Sequence, residues 1–209
     1  VIVDIGGATT DVHSIAEGEP TKPAVTLRGL QEPYAKRTVE GDLGMRVSAL
    51  SLWEASGTKK LKQYCTREFD IEGKCTYLSN NINEIAVSEE DIEFDEALSM
   101  TATELSMERH VGVLETVYTP LGAVFMQTGK DLSDVKNLIG TGGVLVHSEA
   151  PGKILRAGLA DPANPYSLKP VNPNIMIDKD YILSAMGLLA QKYPDAALRI
   201  MKKYITTCE

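Results

Sequence analysis

The sequence predicts an α/β fold, and three observations carry that expectation. Val1-Ile2-Val3-Asp4-Ile5 is an apolar run ended by Gly6-Gly7, and Val135 to Ile139 is a second one that runs into Gly140-Thr141-Gly142-Gly143. Helical periods with start and stop signals lie between and after these two strand-to-glycine junctions. Taken in order, residues 1–5 suit a buried strand leading into a tight turn. Residues 11–16 and 24–30 read as the two strands of a hairpin, joined across the polar, Pro-bounded stretch Glu17 to Pro23. Arg37 to Glu40 reads as a further strand. Gly41-Asp42 then precedes a helix over 43–56, with Leu43, Val47, Leu50 and Trp53 on one face and Gly57 as its stop. Residues 59–83 read as a charged helix followed by a polar connection. Ser88 and Asp91 have capping-box spacing and start a long helix through Leu98, Thr101, Leu105 and His110 toward Tyr118, ended by Pro120 and Gly122. Pro151 to Leu159 is a short basic helix, and the four prolines within Asp161 to Asn174 keep that segment on the surface. Two helices, around Asp180 to Lys192 and Asp195 to Tyr204, complete the chain.

Composition narrows the function classes. At 209 residues, with 43% apolar and 24% charged side chains, the chain is long enough for a substantial core and too ordinary for a disordered or fibrous protein. A net charge of −8 is the wrong sign for a protein that neutralises phosphate backbones, so nucleic acid is not an expected partner. No apolar run reaches membrane-spanning length, so no membrane association is expected and the cytoplasm is the expected location. Cys65, Cys75 and Cys208 are spaced like neither a zinc site nor a disulfide framework and read as free thiols. A start at Val1, inside a strand and without methionine, reads as a piece cut from a longer protein.

The strongest chemical signal is Asp4-Ile5-Gly6-Gly7-Ala8-Thr9-Thr10-Asp11. Two glycines let backbone N–H groups approach a phosphate, Thr9 and Thr10 offer hydroxyls, and Asp4 and Asp11 offer carboxylates to a hydrated Mg²⁺. The competing reading is a plain hairpin whose glycines serve the turn and whose Asp and Thr side chains satisfy loop amides. At Thr141-Gly142-Gly143 the same choice stands between a backbone floor for a ring or ribose and a tight turn. Neither glycine set has the spacing of a Rossmann or P-loop fingerprint. Glu40 and Asp42 read as caps of the following helix, Lys153 and Arg156 as a solvated basic face, and Met100 and Met107 as core. His13, His110 and His147 lack partners at metal-ligand spacing and read as structural. No nucleophile elbow is present.

The glycine motifs, in this order and at this separation, resemble the second phosphate motif and the adenosine motif of the actin, sugar-kinase and heat-shock-chaperone ATPase superfamily. More closely, VIVDIGGATTDVHS, VEGDLGMR, IGTGG and PGKILRAGLADP resemble the MutL/GlmL-type accessory proteins encoded beside adenosylcobalamin-dependent glutamate mutase and aminomutases, which are unrelated to mismatch-repair proteins of similar name. The resemblance implies that residues 1–209 form the second, C-terminal lobe of an actin-like ATPase (ribonuclease H-like), with a mixed central sheet, an inserted helical subdomain over 59–118 and a first lobe before Val1. It implies ATP and Mg²⁺ as ligands. Asp4 would hold the metal's water shell or orient the attacking water, Gly6 and Gly7 would cradle the β- and γ-phosphates, and Thr9 would donate to the terminal phosphate. Asp11 would contact the metal's waters or stabilise the hairpin. Thr141, Gly142 and Gly143 would line the adenosine end, and Ala8 stands where many relatives carry a third glycine. The implied partner is an adenosylcobalamin-dependent mutase, reactivated by nucleotide-driven domain closure. A nucleotide-gated interaction module with negligible hydrolysis and a small-molecule kinase are the alternatives.

Overall fold

The structure, a computed structural model, describes residues 1–120 and 122–208. Strand β1 (Ile2–Ile5) buries Val3 and Ile5 and turns Ile2 and Asp4 to the other face, as the pleat requires. The chain reverses over Gly6–Thr9 into β2 (Thr10–Ile15), antiparallel to β1 with Ile5 opposite Thr10 and Asp4 opposite Asp11. The hairpin is therefore β1–β2. The expected pairing of 11–16 with 24–30 is corrected: β3 (Val25–Leu27) leaves the main sheet altogether.

β4 (Ala35–Glu40) flanks β2 antiparallel, while β7 (Asn137–Thr141) lies parallel to β1 on its other side. β8 (Asn174–Asp178) is parallel to β7, and β9 (Ile205–Thr207) is antiparallel to β8. The result is a six-stranded mixed sheet in the order β4-β2-β1-β7-β8-β9. A second sheet of three strands sets β3 parallel to β6 (Gly122–Thr128), with β5 (Val113–Thr119) antiparallel on the far edge of β6.

Helix α1 spans Ala49–Ser56 and α2 spans Thr58–Lys62; α3 covers Ile71–Asn80 and α4 covers Glu89–His110. After β7 come α5 (Gly143–His147) and α6 (Pro151–Arg156), and after β8 come α7 (Leu183–Ala190) and α8 (Pro194–Tyr204). α4 lies across β1, β2 and β4 beside α6, and α1 and α2 lean on its outer side with α3 behind α1. Val3, Ile5 and Val12 from the sheet meet Phe94, Leu98, Met100 and Met107 from α4, with Leu52 and Leu61 from α1 and α2, in one apolar core. The two methionines are core, as their spacing predicts.

Several expected boundaries move for local reasons. Ser88 caps α4 through a hydrogen bond from the Asp91 backbone, as predicted, but α4 ends at His110 rather than Tyr118. Gly112 packs its bare Cα against the backbone of Thr128 and Gly129, and its N–H donates to the Lys130 carbonyl, which draws the β-branched run after it into β5. The helix expected over 43–56 starts only at Ala49, because the backbone of 45–46 donates to β1–β2 loop carbonyls instead of forming helical turns. Of the segment expected on the surface, Ser167 to Lys169 is buried, stitched between Gly112 and Leu132 through Leu168. Trp53 is the acceptor of the Gly57 N–H at the end of α1, so the predicted stop holds.

Candidate functional site

The two glycine corners are neighbours. Because β1 and β7 are adjacent and parallel, with Asp4 level with Thr141, both chains leave the sheet at its same edge. Open α/β sheets place ligands beyond the carboxyl ends of their strands, and here the corners lie beyond two such ends. Gly142 adopts φ +100°, and a Cβ there would overlap the Ile5 carbonyl and come within 2.8 Å of Asp4 Oδ1. Only glycine fits that position. Gly6, Gly7 and Gly143 line one crevice of about 770 Å³. Its remaining walls include Ile82, Ile85 and Ile92 at the α3–α4 connection and the start of α4, with Val144, His147 and Tyr181 opposite. That is a glycine floor under a partly apolar roof, within the volume range of small-molecule sites.

The first corner is pinned from inside and open outward. Gly6 O accepts from Met45 N at 3.0 Å, Gly7 O from Arg46 N at 2.8 Å, Ala8 O from Ser48 Oγ at 2.8 Å and Thr9 O from Gly6 N at 2.9 Å. Gly44 makes this cover possible, since a Cβ on it would collide with the Ala8 backbone. With every loop carbonyl engaged, the N–H groups of Gly7, Ala8 and Thr9 have no acceptor among the described residues. Successive free backbone amides in a turn are the donor arrangement that anions occupy in other proteins. Ala8 does not spoil it, because the donors belong to the backbone.

A row of polar side chains crosses four strands just behind this edge: Asp11 on β2, Asp4 on β1, Thr141 on β7 and Asp178 on β8. Three of the four are engaged. Asp11 is 8% exposed, and its Oδ1 accepts from Arg37 Nε at 2.9 Å and Nη2 at 2.7 Å while Oδ2 accepts from the Thr9 hydroxyl at 3.0 Å. Asp178 accepts from Thr141 Oγ1 and from the backbone of Ile182 and Leu183, which orients the start of α7. Asp4 alone has no hydrogen-bond partner among the described residues; burial, and then the charge of Asp11, push its carboxyl above the usual carboxylate range.

The expected site residues thus divide. Asp4, Gly6, Gly7, Gly142 and Gly143 gather at one edge, and of these Gly6, Gly7 and Gly143 line the crevice. Thr10 points inward by alternation, is fully buried, and donates its hydroxyl to Leu43 O at 2.7 Å. The Thr141 hydroxyl is committed to Asp178, and Asp11 is committed to Arg37 and Thr9, so none of these three side chains offers a free group. Among the described residues no cluster of three His, Cys, Asp or Glu side chains has the arrangement of a metal site. Of the row, Asp4 is the carboxylate left without a protein partner among the described residues.

The remaining polar candidates are structural or displaced. Glu40 and Asp42 both accept from Arg109 at the end of α4, at 2.6 and 2.7 Å, rather than capping a helix, and the guanidinium holds Asp42 below the usual carboxylate range. Lys153 pairs with Glu96 on α4. His110 is buried between Ser14 Oγ at 2.8 Å and Thr38 Oγ1 at 2.9 Å, and burial lowers its pKa to about 3. His147, expected to be structural, lines the crevice. Sequence reasoning missed Arg46, which binds the corner and the roof together: its backbone N–H meets Gly7 O while its guanidinium donates to both oxygens of Asp95 on α4. All three cysteines are free thiols.

Comparison with known proteins adds a family. The family model described as MutL protein matches residues 1–205. Protein MutL of Clostridium tetanomorphum is 63% identical over 206 residues, which is 98% of this chain and 45% of that protein. The chain therefore spans about half the length of that relative. No solved structure matches it.

Proposed function

This chain belongs to the MutL protein family, and from that membership together with the glycine crevice we propose that it is a nucleotide-binding lobe of an actin-like ATPase serving as an accessory of adenosylcobalamin-dependent glutamate mutase or a related mutase. The observation that carries the reading is the convergence of two glycine corners, 135 residues apart in the chain, on one crevice at the carboxyl ends of adjacent parallel strands.

The free N–H groups of Gly7, Ala8 and Thr9 bind the phosphates, and Gly142 and Gly143 keep the second corner low enough for a ribose or ring to lie against backbone. Ile82, Ile85, Ile92 and Val144 supply apolar surface for the adenine. Asp4 lies at the same strand edge but on the sheet face opposite Ile5 and outside the crevice lining, so in this reading it acts on the phosphate end through a water that its unpartnered carboxyl orients. Magnesium, when bound with the nucleotide, supplies neutralisation of phosphate charge. In a protein as long as its relative, a second lobe closes over this edge, and nucleotide favours the closed state by its differential affinity for it. The mutase responds to that closure by exchanging damaged cobalamin.

A second reading, a nucleotide-gated interaction module with negligible hydrolysis, is favoured by the engagement of Thr10, Thr141 and Asp11 in structural bonds. Asp4 is then the one side chain of this set left free. In the whole protein, Asp4→Ala is expected to abolish ATP turnover with the fold intact and nucleotide still bound. Unchanged turnover would remove Asp4 from the mechanism, whereas turnover absent from the wild type while ATP binds would establish the gating reading. ATP-dependent recovery of an inactivated mutase tests the partner.

A further inference from the structure

Arg46 does two things at opposite ends of the crevice. Its backbone N–H donates to Gly7 O at 2.8 Å and so helps aim the Gly7–Thr9 amides outward. Its guanidinium reaches the other way: Nη1 and Nη2 donate to Asp95 Oδ1 and Oδ2 at 3.0 and 2.6 Å, and Nε donates to the Glu84 carbonyl at 2.9 Å. Asp95 lies on α4, and Glu84 lies in the α3–α4 connection that forms the apolar roof. The two charged side chains are only 14% and 15% exposed, so the fork-to-fork geometry is held away from water.

What lies behind the roof makes this bond matter. On its far side is a second cavity of about 330 Å³, lined by Arg46, Asp95, Lys74, Tyr77, Glu84 and Phe94 among others. The Arg46–Asp95 pair is a partition between two spaces. Glu84 and Ala86 line both spaces, whereas Ile85 lines the first alone. Burial also pushes the Asp95 carboxyl up, opposed by the Arg46 guanidinium, so the carboxylate depends on its partner for its charge.

We infer that Arg46 is a positioning residue whose bonds to Gly7, Asp95 and Glu84 couple the phosphate corner to the roof of the crevice, so that anion binding at the corner fixes the roof over the base. This deepens the nucleotide reading and rests on it. A rigid link between two subsites makes a ligand that spans both bind better than its halves predict, and coupling of this kind is about 5- to 150-fold in affinity.

The test compares ATP, adenosine and tripolyphosphate, with magnesium, on the wild type, Asp95→Asn and Arg46→Lys, which keeps the cation but loses the fork. Titration calorimetry gives affinities and hydrogen exchange gives protection at Gly7–Thr9 and at residues 82–86. In the wild type, tripolyphosphate alone is expected to protect both segments. In either variant its protection stops at the corner, ATP affinity falls about tenfold, and adenosine and tripolyphosphate each stay within about twofold. An equal fall for all three ligands, or roof protection that persists in the variants, overturns the coupling role and leaves Arg46 as scaffold. Wild-type binding of ATP without roof protection by tripolyphosphate overturns the coupling alone. No wild-type binding of ATP overturns the nucleotide reading, and the coupling with it. The wild-type arm decides even where a variant fails to fold.

Discussion

The two ends of strand β2 are built on opposite rules. At its far end Ser14 meets His110, whose other ring nitrogen meets Thr38, while Lys36 Nζ donates to the His110 carbonyl. Fully buried Lys130 donates to the carbonyls of Pro33 and Tyr34 at 3.0 and 2.9 Å beside them. The buried Ser14, His110 and Lys130 side chains there each find a partner. At the Thr10 end, beyond the β1–β2 turn, three backbone amides and the Asp4 carboxylate have none among the described residues. A sealed polar layer is how a fold tolerates buried polarity. An open one costs stability and leaves groups free for a ligand, and this difference between the ends is what the proposed nucleotide site rests on.

The comparison predicts its own tests, the largest first. The sealed end should fail in acid. Folded His110 stays neutral down to about 3, whereas an unfolded imidazole protonates near 6.5, so the stability it contributes is complete above that value and is lost as pH falls from 6.5 toward about 3. The slope is up to about 1.4 kcal/mol per pH unit. Urea denaturation across this range should show the loss, and His110→Gln should flatten it; an unchanged slope would mean another group controls acid unfolding.

Next in size is Gly142→Ala, expected to cost about 3 kcal/mol in chemical denaturation, because a side chain is excluded there by both φ and contact. Its counterpart Gly7→Ala meets only Arg46 side-chain carbons at 3.7 and 3.9 Å and should stay within about 0.5–1 kcal/mol of wild type. Equal costs would erase the distinction between a glycine required by the fold and one whose bareness serves a ligand. Ser14→Ala should cost about 1–3 kcal/mol, since it leaves His110 Nε2 buried with no partner.

The last stability effect belongs to Asp4→Asn at the open end, within about 0.5 kcal/mol of wild type and in the stabilising direction at neutral pH. Its sign is opposite to that of His110. A carboxyl raised in the folded state favours folding most at low pH, and that contribution is lost as pH rises through its folded value. A clear destabilisation at pH 7 would show that Asp4 has a structural partner.

Much of this was legible in the sequence, for reasons that also explain the failures. β1, β7 and the glycine corners are short-range signals: apolar runs that stop at glycine. The resemblance carried by those motifs agrees with the family found. The misassigned hairpin arose because 24–30 has strand character but nothing local says that it pairs with Gly122–Thr128, about a hundred residues away in sequence. α4 was overextended because its burial hides its period. Ser99, Thr101 and Thr103 are buried, their hydroxyls bonded to carbonyls of the preceding turn, so no polar face marks where the helix ends. Residue type points Thr10 at a ligand and the family resemblance points Thr141 there, whereas alternation and the neighbouring Asp178 decide which way their hydroxyls point. Arg46 escaped notice because its carboxylate partner lies 49 residues on.

The most direct test follows the amides themselves. In a titration with magnesium ATP monitored by backbone NMR, the account predicts that the resonances of Gly7, Ala8 and Thr9 shift first and furthest, together with Gly143, Val144 and the 82–86 connection. Shifts confined to another part of the molecule, or none at millimolar nucleotide, would contradict it.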